Sequence, residues 1–175
     1  MSAHRSASMA EAVECPSALP SSMLETVLLP VASLTDAKRT CDAATPYLRD
    51  RDARVIALHV IDKRRYAPAP SPLSYRRAEA KRLLDHVTGH LDEYDIVATT
   101  CIRYGTNVAD TILETADDLD VSAIAFTPRG SGRLMKLLTE DVSARLLARS
   151  SDPVIVLPVV RPPTGLSGGV KKPES

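Results

Sequence analysis

Phosphate handling is the first chemistry these residues raise. Thr127-Pro128-Arg129-Gly130 sits where an apolar strand-like run gives way to a helical pattern, and Glu140-Asp141 follows after nine intervening residues. In an α/β sheet, such a strand-to-helix loop is where backbone amides and hydroxyls cradle a phosphate. Here two acids occupy that place. A helix N-terminus draws anions because its first amides lack partners and the positive end of its dipole lies there. An acidic side chain meets the same need from within the protein. A phosphate charge ~5 Å from one of these carboxylates is repelled by about 3 kcal/mol at an effective dielectric of about 20, on the order of 100-fold in affinity. Arg129, Arg133 and Lys136 offset part of that repulsion.

Other residue sets carry less. Gly165-Leu166-Ser167-Gly168-Gly169 matches the G-x-S-x-G nucleophile pattern as text, but the elbow requires a preceding strand and a following helix, and this stretch has neither. Gly130-Ser131-Gly132 lacks the third glycine of a dinucleotide fingerprint. His86 and His90 stand four apart on a helical pattern and could share a metal, yet no H-E-x-x-H is present and a solvated helix face explains them better. His59 lies on an apolar strand run and reads as a hydrogen-bonded core or rim residue. Arg64, Arg65, Arg76 and Arg77 could form a basic rim for an acidic ligand or partner; the plainer reading is a solvated surface paired with Asp62 and Glu79. Cys41 reads as a small apolar core residue, and Cys101, at a strand end, is the one candidate redox sensor. With no triad, acid/base pair or metal set in context, the reading is a binding or regulatory module and not an enzyme.

These residues need a frame, and the apolar pattern supplies one. Five short runs rich in Val, Ile and Leu (25–31, 54–61, 94–101, 121–127 and 153–159) alternate with helical patterns. Runs that are nearly continuous rather than alternating imply strands covered on both faces, as in a parallel sheet. The helices are predicted at 35–49, kinked or ended by Pro46; at 72–93, with Leu83, Leu84, Val87 and Leu91 inward; at 107–119, capped by Thr106 or Asn107; and at 141–149, with Val142, Leu146 and Leu147 inward. The fold class is therefore α/β: an open, doubly wound, five-stranded parallel sheet with helices on both faces. Ligands in such folds bind beyond the carboxyl ends of the strands at the switch point, here 31–33, 59–61 and 127–130.

The pattern resembles the universal stress protein family over residues 23–160. Thr26 to Val31 and Val55 to Val60 match its first two strands, Tyr104 to Ala116 its third helix and lead-in, and Thr127 to Ser143 its loop and last helix, followed by Pro153 to Leu157 as the closing strand. The resemblance implies a cleft formed by Ala32, Val60, Thr127, Arg129, Gly130, Gly132, Arg133, Glu140, Asp141 and Val142. The ATP-binding branch has an Asp after the first strand and a G-x-x-G, nine residues, G-then-Ser/Thr loop. In this chain those positions hold Ala32, Thr127, Gly130, Glu140 and Asp141, and only Gly130 agrees. Ala32 cannot accept a hydrogen bond from ribose or adenine, and Thr127 brings a Cβ where backbone must approach a ligand closely. The expectation is a regulatory module in the stress response that holds no cofactor. The alternative is an ATP-binding switch in which the loop's arginines outweigh its acids. The resemblance also implies a homodimer through the last strand, Pro153 to Val160, whose apolar run would otherwise leave an open sheet edge.

Composition narrows the rest. Lys plus Arg and Asp plus Glu each number 22, so no net field steers the chain toward nucleic acid or an anionic membrane. With 3% aromatic residues it also lacks the stacking platforms of single-strand binders. No apolar run approaches the ~20 residues of a membrane helix, and three cysteines without a C-x-x-C suit a reducing cytoplasm. Residues 1–22 read as a disordered leader, with Met23 a candidate true start, and 161–175 as a disordered tail; a protein partner is possible.

Overall fold

The computed structural model describes residues 21–63, 72–128 and 142–158. After a 3-10 turn at Ser21–Leu24, the elements run β1 (Thr26–Pro30), α1 (Leu34–Leu48), β2 (Arg54–Asp62), α2 (Leu73–Asp92), β3 (Ala98–Gly105), α3 (Val108–Asp118), β4 (Ala123–Phe126), α4 (Val142–Arg149) and β5 (Val154–Val156). All pairings are parallel, in the order β3-β2-β1-β4-β5. The chain adds strands to one side of β1 and then to the other, so the sheet reverses between β1 and β4.

Each strand splits its side chains between two cores. Val27, Leu29, Val55, Ala57 and Ala125 pack with Leu83, Leu84, Val87 and Leu91 of α2 and with Cys41 and Ala44 of α1. Leu28, Ile56, Leu58, Ile124 and Phe126 pack on the other face with Ile112 and Ala116 of α3 and Leu146 of α4. Period-2 division over an unbroken apolar run is what a sheet covered on both faces requires. Pro30 fits a central strand because of where it falls. Val31 N–H donates to Leu58 O toward β2, so by alternation the donor missing at Pro30 faces β4. The β1/β4 pairing has already ended there, at Leu28↔Ile124.

Four expectations need correction. β3 spans Ala98–Gly105 rather than 94–101, and β4 starts at Ala123 rather than at 121. Both errors share one cause. α2 and α3 end in Schellman motifs, in which Ile96 N–H bonds Leu91 O and Val121 N–H bonds Ala116 O while Asp95 and Asp120 adopt φ of 58° and 48°. The buried Ile96 and Val121 are the apolar partners of those motifs, and they read as strand starts because aspartate, not glycine, holds the left-handed position. Pro46 does not end α1, which continues to Leu48. It lies in the last turn, so only one helical donor is lost, and Thr45 Oγ1 donates to Cys41 O beside it. Leu147 is 55% exposed; in this short helix Leu146 is the buried residue, and Val142 packs partly buried against the same core.

Two predictions follow from this packing. Burial, with a smaller contribution from Asp42 and against Lys38, pushes the Cys41 thiol from 9.0 up to about 12. A raised folded-state value means that stability is intact below about pH 9 and declines as pH rises from there through 12, because only the unfolded chain ionises freely in that window. Urea midpoints between pH 8 and 11 should fall more steeply for wild type than for Cys41→Ala. Gly105 closes β3 against α3, and a Cβ there would overlap Thr111 Oγ1, which donates to Asn107 O. Gly105→Ala should cost about 2 kcal/mol, and adding Thr111→Ala should recover part of it. Additive losses in that double-mutant cycle would show the contact to be irrelevant.

Candidate functional site

At the switch point the ends of β1, β2 and β4 meet the starts of α3 and α4 around one cavity of about 180 Å³. Ala32, Val60, Thr127 and Val142, all assigned to a cleft from the sequence, line it together. Arg129, Gly130, Gly132, Arg133, Glu140 and Asp141 lie outside the described residues, as do Arg64, Arg65 and the Gly165–Gly169 stretch. The apolar wall comes from Val31, Leu58, Val108, Ile112, Phe126 and Leu146.

The first turn of α1 adds a residue that the sequence reading passed over. Ser33 caps the helix, its Oγ accepting from Asp36 N–H at 3.2 Å, and Asp36 Oδ2 reaches back to accept Ala32 N–H at 2.9 Å. The S-x-x-D spacing of a capping box was the available signal. Asp36 is 8% exposed, so a carboxylate does stand beside position 32, delivered from one helical turn further on.

His59 bridges the ends of two strands. Its Nδ1 lies 2.9 Å from Val31 O, and since a carbonyl can only accept, Nδ1 carries the proton and Nε2 of the neutral ring is an acceptor. Asp62 lines the cavity as well. The described lining thus carries Asp36 and Asp62 and neither Lys nor Arg. Thr127 is 4% exposed, and its Oγ1 has no hydrogen-bond partner among the described residues.

The other candidates disperse. Among the described residues no group of three or more His, Cys, Asp or Glu could hold a metal. His90 Nε2 lies 3.2 Å from Asp42 Oδ1 of α1, and the ring packs against Tyr94 at 5.7 Å. That contact lacks hydrogen-bond geometry, so it joins α1 to α2 by packing. His86 is exposed. Cys101 is half-buried against the α3 face of the sheet. Asp118 pairs with Arg103, and Asp117 accepts from Ser151. No helix among the described residues is long and apolar enough to cross a membrane.

A parallel five-stranded sheet, wound both ways from β1 and opening a cleft at its reversal, defines the class: an α/β domain built around a switch-point pocket. Residues 23–158 match the model of the universal stress protein family, and the chain belongs to that family. Solved structures share the fold. A universal stress family protein from Burkholderia pseudomallei is 23% identical with a TM-score of 0.62, over 79% of this chain and 99% of that one. The universal stress protein from Archaeoglobus fulgidus in complex with dAMP is 19% identical with a TM-score of 0.58, over 78% and 99%. A universal stress protein in complex with cAMP is 16% identical with a TM-score of 0.55, over 78% and 98%. No curated protein sequence matches the chain.

Proposed function

We propose that this chain is a nucleotide-independent regulatory module of the universal stress type, cytoplasmic and without catalytic activity, whose switch-point cleft does not hold ATP productively. One observation carries the reading: the described lining of the cleft presents two carboxylates and no Lys or Arg. A polyphosphate entering there meets those carboxylates, with Glu140 and Asp141 following in the loop sequence. The volume of about 180 Å³ also falls short of the roughly 300–1,000 Å³ of ordinary ligand pockets. Calorimetry of ATP into freshly purified protein tests the reading, together with mass spectrometry of released small molecules. Stoichiometric bound ATP would overturn it and install the alternative, a nucleotide-dependent switch. Relatives solved with dAMP and with cAMP favour that alternative.

The module is proposed to act as a homodimer through its last strand. β5 is an edge strand of three residues. It borders an apolar hollow of about 150 Å³ lined by Leu24, Tyr47, Ile155, Val156 and Pro158 among others. Val156 is 47% exposed, and an edge that pairs with no further strand among the described residues invites pairing. Light scattering at micromolar concentration should return twice the 18.9 kDa chain mass, and Val156→Asp should return the single mass. A monomeric wild type would refute the interface.

A further inference from the structure

The sheet has two edges, and they are built differently. β5 offers three residues, whereas β3 runs for eight, Ala98–Gly105, in unbroken register with β2. Val55 N–H donates to Val97 O and Lys63 N–H to Gly105 O, so the odd-numbered residues of β3 turn their backbone toward β2. By alternation the N–H and C=O groups of Thr100, Ile102 and Tyr104 point outward. None of the described residues pairs with them, and Thr100 and Tyr104 are exposed. The usual devices that close an edge are missing: β3 contains no Pro, no Lys and no bulge, and its one charge, Arg103, is held by Asp118 of α3.

The flank of α2 lies beside this edge. Ala98 and Ile102 pack on the α2 side of the sheet, and Tyr104, on the same side by alternation, borders a hollow of about 460 Å³ with Leu73, Ser74, Arg77, Ala78 and Lys81. Leu73 is 54% exposed and Tyr104 39%. Lys81 is taken up by Asp85 of its own helix. Arg77 makes no hydrogen bond or ion pair among the described residues, and no carboxylate is among the described lining of the hollow. Leu73 and Arg77 stand four residues apart on the helix, a rise of about 6 Å. Alternate residues of a strand are spaced by about 6.6 Å, so one face of an added strand would present side chains in step with that pair.

We infer that the outer edge of β3 is a docking site for an extended peptide segment of a partner protein. The segment adds as a further strand, setting an apolar side chain on Leu73 and Tyr104 and, two residues away, a carboxylate on Arg77. Backbone hydrogen bonds supply affinity in such strand addition, and the alternate side chains supply selectivity. The surface shares no residue with the cleft lining or with β5, so it does not depend on whether the cleft binds nucleotide.

Amide hydrogen exchange by NMR on the full chain tests this, using a peptide matched to β3 in length in which Val and Glu alternate on one face and threonines fill the other. The expected result is protection gained at Thr100, Ile102 and Tyr104, saturating at about 0.1–1 mM peptide, with Cys101 and Arg103 already protected before peptide is added. Lys in place of Glu in the peptide should weaken binding about 10-fold, and Arg77→Glu should reverse that preference. Thr100→Pro should abolish binding without unfolding the sheet, since the ring removes only an outward donor of an edge strand. No protection by about 5 mM peptide would overturn the proposal. So would equal affinity for the two peptides. Protection at those amides that rises with protein concentration alone would also overturn it, by assigning the edge to a second copy. Arg77 is exposed, so its substitution leaves the core intact and the charge test stands even if Thr100→Pro unfolds.

Discussion

Replacing Leu146 by alanine should cost about 3 kcal/mol in urea unfolding and strip hydrogen-exchange protection from α4 before the rest of the sheet opens. Leu146 is 1% exposed and is the one buried residue of α4. It packs with Leu28, Ile124 and Phe126 of the sheet and Ile112 of α3. Large-to-small changes at such sites lose both transfer energy and the contacts around the cavity left behind, typically 2–5 kcal/mol. An eight-residue helix is also too short to persist undocked. Val142 adds only a partly buried contact with the same core, and the ion pair of Arg149 with Asp110 at 2.6 Å joins side chains 60% and 35% exposed, a kind of pair that contributes about 0–1 kcal/mol. Leu147→Ala, one position on and largely in solvent, should change stability by less than about 0.5 kcal/mol. If Leu146→Ala were equally mild and α4 stayed protected, the helix would be held by something other than its core contact. Because Leu146 also lines the cleft, loosening α4 would open one wall of the site without touching its charges.

How far the sequence could be read follows from which forces write themselves locally. Strands buried on both faces leave long apolar runs, and the five-strand parallel sheet was legible from them. The stripe Leu83, Leu84, Val87 and Leu91 was legible from helical period, since all four are buried. What escaped was punctuation carried by unusual residues. Asp95 and Asp120 perform the left-handed exits that glycine usually marks, and the apolar residues following each one blurred the helix exit into the strand. β3 is an edge strand whose Thr99 and Thr100 face solvent, so its own apolar signal was weak and the boundary drifted four residues early. At the site, Ala32, Val60, Thr127 and Val142 could be grouped in advance because a family pattern orders them along the chain, and all four line one cavity. Asp36 was not, because its role depends on a carboxylate folding back across one turn to Ala32 N–H. Such a contact is visible in sequence only as the spacing Ser33 to Asp36.

The largest functional effect expected is a gain. Glu140→Gly combined with Asp141→Ser should raise ATP affinity on the order of 100-fold, from no measurable heat in wild type to a titratable isotherm. The estimate is the removal of about 3 kcal/mol of repulsion per close charge pair at an effective dielectric of about 20. Ala32→Asp alone should not help, although it supplies the side chain that the ATP-binding branch has there. The new carboxylate would arrive beside Asp36, whose Oδ2 already accepts Ala32 N–H, and like charges at that range resist sharing a site. Ala32→Asp paired with Asp36→Asn, on the background of the loop double substitution, should therefore bind more tightly than either change alone. Calorimetry across that series separates charge from shape. If the loop variant stays folded and still takes up no heat, electrostatics is not what closes this cleft. The reason would then lie in its small volume and in Thr127, whose buried side chain narrows the place where a glycine would let a ligand approach the backbone.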